Sequence, residues 1–99
     1  MGTRQIGLSV NGAQIEIDYF VQRYVDHVVG GIVASLHSTS DVEALSLSID
    51  GNSVALELNG KVVPMNDFVR TIVKNTVTGM VSSLKGVGDV DRLAILIMR

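Results

Sequence analysis

Shifted by 48 positions, the chain lies over itself from residue 5 to its end with no insertion or deletion. Ile6-Gly7-Leu8-Ser9-Val10-Asn11-Gly12 falls on Val54-Ala55-Leu56-Glu57-Leu58-Asn59-Gly60. Phe20, Val21, Val25, Val29, Gly31, Val33, Ser35 and Leu36 fall on Phe68, Val69, Val73, Val77, Gly79, Val81, Ser83 and Leu84. Asp41, Val42, Leu45 and Ile49 fall on Asp89, Val90, Leu93 and Ile97. Chance likeness between two apolar segments would not hold an Asn-Gly pair, a helix glycine and an Asp-Val pair in step. Such a repeat constrains a fold more than local propensity does, because both copies must take the same course. The expected organisation is one domain over 1–99 with internal repeats at 5–51 and 53–99, a length that supplies one core and not two.

Within a copy, Ile6, Leu8 and Val10 alternate with Gly7 and Ser9, the period of a half-buried strand. Asn11-Gly12 then suits a type I′ hairpin turn, which needs positive φ at both central residues. Ile15 and Ile17, split by Glu16, read as a short return strand. Pro64 stands where Glu16 does, and a residue that cannot donate to a ladder places this strand at a sheet edge. Asp18 and Asn66 suit helix N-caps. A helix of about 20 residues follows, ending near Leu36 and Leu84. His37 and Lys85 fall in its last turn, where a cation meets the negative end of the dipole, and Gly86 suits the position after it. Leu45, Leu47 and Ile49 share one strand face, and Asp50-Gly51 turns the chain into the second copy. The order is ββαβ–ββαβ. The fold class this implies is α+β, a two-layer sandwich with pseudo-twofold symmetry whose mostly antiparallel sheet is covered by two helices.

On a helical wheel, the apolar residues from Phe20 to Leu36 span an arc of about 220°. A helix lying on a sheet needs an apolar stripe of only ~100° or somewhat more. Each helix is therefore expected to be buried against its sheet and against a second body, either its twin or another chain. Gly31 and Ser35, with Gly79 and Ser83, fall within or beside the arc. Glycine in a helix interior costs about 1 kcal/mol against alanine. Its presence in both copies implies close backbone approach, most simply where the two helices cross. The valine-rich helices depend on packing rather than on propensity.

The closing strands differ on the face away from the core. The first copy reads Ser46, Ser48, Asp50 there, and the second reads Ala94, Leu96, Met98. A strand apolar on both faces is central or covered. The expectation is a homodimer whose interface includes Ala94, Leu96 and Met98, since an unexplained apolar patch marks a contact.

The hydrophobic share is 46% and mean hydropathy is +0.37, which excludes a disordered chain. Eight Lys and Arg against ten Asp and Glu leave a net charge of −2. That is a poor match for phosphate backbones, and 4% aromatics with no Trp give no stacking platform, so no nucleic-acid partner is expected. The two most apolar stretches are interrupted by Arg23, Asp26 and His27 and by Arg70 and Lys74, short of the ~20 residues of a membrane span. No secretory leader pattern opens the chain, and a cytoplasmic, membrane-free setting is the expectation. With no Cys there is neither a disulfide framework nor a thiolate zinc site.

Few residues offer chemistry. His27 lies at the rim of the apolar arc near Arg23 and Asp26, with no second ligand at metal spacing, and Asn75 replaces it in the other copy. Asp41 and Asp89 precede the closing strands. Such a pair can act as acid and base or bind a divalent cation, but each sits in a Ser/Gly-rich connection where Asp bonds its own backbone. Gly86-Val87-Gly88 follows a helix, whereas a phosphate cradle opens one. No cofactor and no metal site is expected.

The duplicated ββαβ layout resembles in outline the ferredoxin-like βαββαβ arrangement of regulatory ligand-binding domains, with one extra hairpin strand per half. The leading expectation is a non-enzymatic interaction or structural module that self-associates. A small-ligand-binding regulatory domain, with Tyr24, His27 and Gly31 as its site, is the second. A small enzyme using Asp41, Asp89 or His27 is the third.

Overall fold

The computed structural model describes residues 5–36, 43–84 and 87–98. In chain order these form β1 (Gln5–Val10), β2 (Ala13–Gln14), α1 (Tyr19–Leu36), β3 (Ala44–Asp50), β4 (Ser53–Leu58), β5 (Lys61–Val62), α2 (Asp67–Ser82) and β6 (Arg92–Met98). The strands make one six-stranded sheet in the order β2-β1-β6-β3-β4-β5, with every neighbouring pair antiparallel. The α+β class is therefore as expected.

The two closing strands, β3 and β6, hold the centre of the sheet. They pair along their full length from Ala44 opposite Met98 to Asp50 opposite Arg92, with Leu47 opposite Ile95 midway. Each helix carries the chain from β1 to β3 or from β4 to β6, two places across the sheet, as a split β-α-β unit. The return strands are shorter than expected. β2 ends at Gln14, before Ile15 and Ile17, and only one further bond runs from the Ile15 amide to the Leu8 carbonyl, 2.8 Å. β5 ends at Val62, just before Pro64, and these two stubs are the sheet edges. Edges this short offer little ladder to a stray strand.

Both hairpins turn through residues in the left-handed region: Asn11 and Gly12 at φ 52° and 86°, Asn59 and Gly60 at φ 52° and 84°. Asparagine tolerates that region better than other side chains. Here it also reaches across to a neighbouring strand. The Oδ1 of Asn11 accepts from the amides of Asp91 (2.8 Å) and Arg92 (3.0 Å), while its Nδ2 donates to the Asp89 carbonyl (2.9 Å). The Oδ1 of Asn59 accepts from the amides of Glu43 and Ala44, 2.9 Å each. One residue type thus shapes each turn and fixes the entry of a central strand.

The caps fall where expected. Asp18 Oδ1 accepts from the Val21 amide and Asn66 Oδ1 from the Val69 amide, each at 2.8 Å. The preceding carbonyls are also held, Ile17 by Gln22 Nε2 (3.2 Å) and Met65 by Arg70 Nη1 (2.7 Å). α1 ends at Leu36, while α2 ends at Ser82, two residues before Leu84, with Ser83 as its C-cap. His37, Asp41, Lys85 and Gly86 lie outside the described residues.

The core sits between one face of the sheet and the two helices. Leu8, Leu47, Leu56, Ile95 and Ile97 are fully buried on the sheet side. Val25, Val29 and Val33 face them from α1, and Val73, Val77 and Val81 from α2. At intervals of four, these valines make a stripe one residue wide, and their stiff χ1 leaves each a single way to pack. Among the described residues no polar or charged side chain is buried.

Neither expectation about the helices is met by contact between α1 and α2. The apolar arc is not fully covered, because Phe20 is 72% and Phe68 is 70% exposed. Nor do the helices approach closely at their glycines. A Cβ built on Gly30, Gly31 or Gly79 would meet nothing within 4 Å. Valines form the fully buried seat of each helix on the sheet, with Ile32, Leu36 and Met80 packed partly buried beside them, and Phe20, Tyr24, Phe68 and Ile72 are left facing outward.

Candidate functional site

Two surfaces carry apolar groups that the fold does not use. The first is the outside of the helical layer. Phe20 and Tyr24, one turn apart on α1, stack with centroids 6.1 Å apart and ring planes 15° from parallel. On the adjoining face, the Arg23 guanidinium lies 5.7 Å from the centre of the Tyr19 ring. With His27 these residues line a shallow concavity of about 310 Å³. A second concavity, an apolar groove of about 400 Å³, runs between the helices. Val28, Gly31, Ile32 and Leu36 from α1 form one wall and Val69, Ile72 and Thr76 from α2 the other. The C-terminal half of α1 thus faces the N-terminal half of α2, so the helices run antiparallel.

Of the expected ligand residues, Tyr24 and His27 share the concavity on the outer face of α1, while Gly31 lines the groove. All three are exposed. Among the described residues no group of three His, Asp or Glu side chains is placed to hold a metal ion. Asp89 is exposed, and its described contact is made by its backbone carbonyl.

The second surface is the open face of the sheet. Leu96 and Met98 are 46% and 48% exposed, and Ala94 is half-buried. Leu96 stands above its cross-strand neighbours Gly7 and Ser46, and Met98 lies between Gln5 and Ala44. The small Gly7, Ala44 and Ser46 beside them therefore leave the β6 residues prominent. At one end of this face, Ser9, Asn11, Asp50, Arg92 and Ala94 line a hollow of about 250 Å³. The Arg92 guanidinium there lies over the Asn11-Gly12 turn, its Nη2 2.9 Å from where a Cβ on Gly12 would stand.

Polar chemistry at the helix flanks is ordinary surface pairing. Arg70 Nη2 bridges to Asp67 Oδ1 at 2.6 Å, and Lys74 Nζ donates to Asn52 Oδ1 at 2.7 Å. Sequence reasoning missed Phe20, Phe68 and Ile72 as surface groups. The signal was present in an apolar arc twice as wide as a sheet-seated helix uses. No helix among the described residues is long and apolar enough to cross a membrane. Comparison with known proteins finds no matching family model, no similar curated protein and no similar solved structure.

Proposed function

We propose that the chain is a non-enzymatic interaction module that self-associates, each subunit being two ββαβ copies related by a pseudo-twofold axis through the Leu47–Ile95 pair. Those residues are 48 positions apart and directly opposed at the centre of the sheet, which supports the axis. One observation carries the functional reading. Large apolar side chains stand exposed on both broad faces of a slab 37 × 35 × 18 Å, Phe20, Tyr24, Phe68 and Ile72 on one and Leu96 and Met98 on the other. Exposed apolar patches rimmed by polar residues mark interaction sites. A cytoplasmic setting suits a chain without cysteine. Light scattering at micromolar concentration tests the proposal. A mass of twice 10.6 kDa supports it, and a monomeric mass refutes it.

A second reading, a small-ligand-binding domain, is favoured by the groove between the helices, whose walls are apolar and whose size suits a small ligand. Titration with an apolar fluorescent probe tests it, with displacement of the probe by substitution of Ile32 or Ile72 as the expected sign.

A further inference from the structure

We infer that the self-association surface is the helical layer, and that its occupant is a second copy of this chain whose helices run antiparallel over the same helices of the first. This rests on the self-association reading and names the face and the register.

Area favours the helical layer over the sheet. Phe20, Tyr24, Phe68 and Ile72 are 72%, 52%, 70% and 47% exposed. With aromatic side chains of 150–250 Å², they present about 500 Å² of apolar surface before the groove walls are counted. A stable interface needs ~800 Å² per partner. The half-exposed Leu96 and Met98 offer on the order of 100–200 Å².

Charge is sparse where contact would form. Phe20, Tyr24 and Gly31 on α1, and Phe68, Ile72 and Gly79 on α2, lie on stripes that hold no carboxylate, Lys or Arg, His27 being the one basic side chain among them. Arg23 borders the α1 stripe over the Tyr19 ring, while Asp26, Asp67, Arg70 and Lys74 fall on the far flanks of the helices. An occupant recognised mainly by charge meets only Arg23 and His27 there.

Shape identifies the occupant. On each helix the stripe is bulky in its N-terminal half and small in its C-terminal half. An antiparallel copy sets Phe20 opposite Ser35 and Tyr24 opposite Gly31. Both pairs are centred on the same point, between His27 and Val28. On α2 the same arrangement sets Phe68 opposite Ser83 and Ile72 opposite Gly79, centred between Asn75 and Thr76. In a twofold interface each contact occurs twice with the partners exchanged, so one stripe must carry both ridge and recess. This one does, on both helices. The recesses are open, since a Cβ at Gly31 or Gly79 would meet nothing within 4 Å. They are also dry-ready. Ser35 and Ser83 donate their hydroxyls to the Gly31 and Gly79 carbonyls of their own helix, each at 2.9 Å. Covering them strands no donor. The glycines that find no close approach within the subunit thus find it between subunits.

The test compares four chains by sedimentation equilibrium, with circular dichroism as the check on folding. The wild type is expected as a dimer. Gly31→Tyr fills the recess from a Cβ that meets nothing within 4 Å in its own subunit, and the mass is expected to fall twofold. Adding Tyr24→Gly exchanges ridge and recess in the same register, and the dimer is expected to return. Leu96→Glu on the sheet face is expected to remain a dimer. A Gly31→Tyr chain that stays dimeric, or a swap that fails to restore the mass, overturns the proposed face. If Leu96→Glu is then the monomer, self-association survives through the sheet. A monomeric wild type overturns self-association itself, and leaves the stripe to an amphipathic helix of another protein or to a lipid surface.

Discussion

Replacing Asn11 separates two tasks that one side chain performs. Its backbone sits at φ 52°, and its side chain makes three bonds to the Asp89–Arg92 segment. Asn11→Gly keeps the turn and loses the bonds. Asn11→Asp keeps the two acceptor bonds and loses the donated one. Asn11→Ala loses the bonds and must hold a left-handed conformation. Each net hydrogen bond contributes about 0.5–1.5 kcal/mol, and exposure places these at the low end, so Asn11→Gly is expected to cost about 1–1.5 kcal/mol. The left-handed strain adds roughly 1 kcal/mol, which puts Asn11→Ala at about 2–2.5 kcal/mol. Against a typical stability of 5–15 kcal/mol this is a large share. In urea, with a slope of about 1–3 kcal/mol per molar, the midpoint is expected to fall by on the order of 1 M for Asn11→Ala. Asn11→Asp should fall least, then Asn11→Gly, then Asn11→Ala. Equal midpoints for the alanine and glycine variants would refute the backbone part of the argument. A glycine variant as stable as wild type would refute the side-chain part.

Gly30→Ala, Gly31→Ala and Gly79→Ala each add a methyl into open space, so each is expected to stabilise the subunit by about 0.5–1 kcal/mol in thermal unfolding. Only Gly31→Ala and Gly79→Ala should also weaken the dimer, because Gly30 points away from the stripe. Asp18→Ala removes the cap bond to the Val21 amide and is expected to cost about 1 kcal/mol by urea titration. Ile95→Ala, at the fully buried centre of the sheet, is expected to cost about 2–5 kcal/mol, and an effect below 1 kcal/mol would contradict the assigned core. Gly60→Ala at φ 84° is expected to destabilise by roughly 1–2 kcal/mol through backbone strain alone, since space around it is open.

Much of the fold was legible because local chemistry and pattern agreed. Asn-Gly dictates its turn through the sign of φ, Asp18 and Asn66 offer the right acceptor at the right place, and Leu45, Leu47 and Ile49 alternate with serines. The strand order was not legible. Nothing in β3 or β6 alone says that two closing strands meet at the centre, since that depends on where both crossovers land. The extent of the return strands was misread, because Ile15 and Ile17 alternate like a strand while the ladder stops at Gln14. The share of each helix face that the sheet takes was not legible either. A wheel reports which residues are apolar but not which of them the sheet takes, and the fully buried helix positions are all valines. Phe20, Tyr24 and Ile72 belong to the arc expected to be covered by the sheet, the twin helix or another chain, and within the subunit they stand exposed.

Because the chain has no cysteine, a single introduced one can be cross-linked only to its own copy, which makes the contact face directly measurable. Thr76→Cys places a thiol on α2 beside the inferred dyad, and Ser48→Cys places one on the open sheet face. With a short bifunctional maleimide, Thr76→Cys is expected to give a covalent dimer of twice 10.6 kDa while Ser48→Cys stays monomeric. Cross-linking through Ser48→Cys alone, or through neither, would contradict the account.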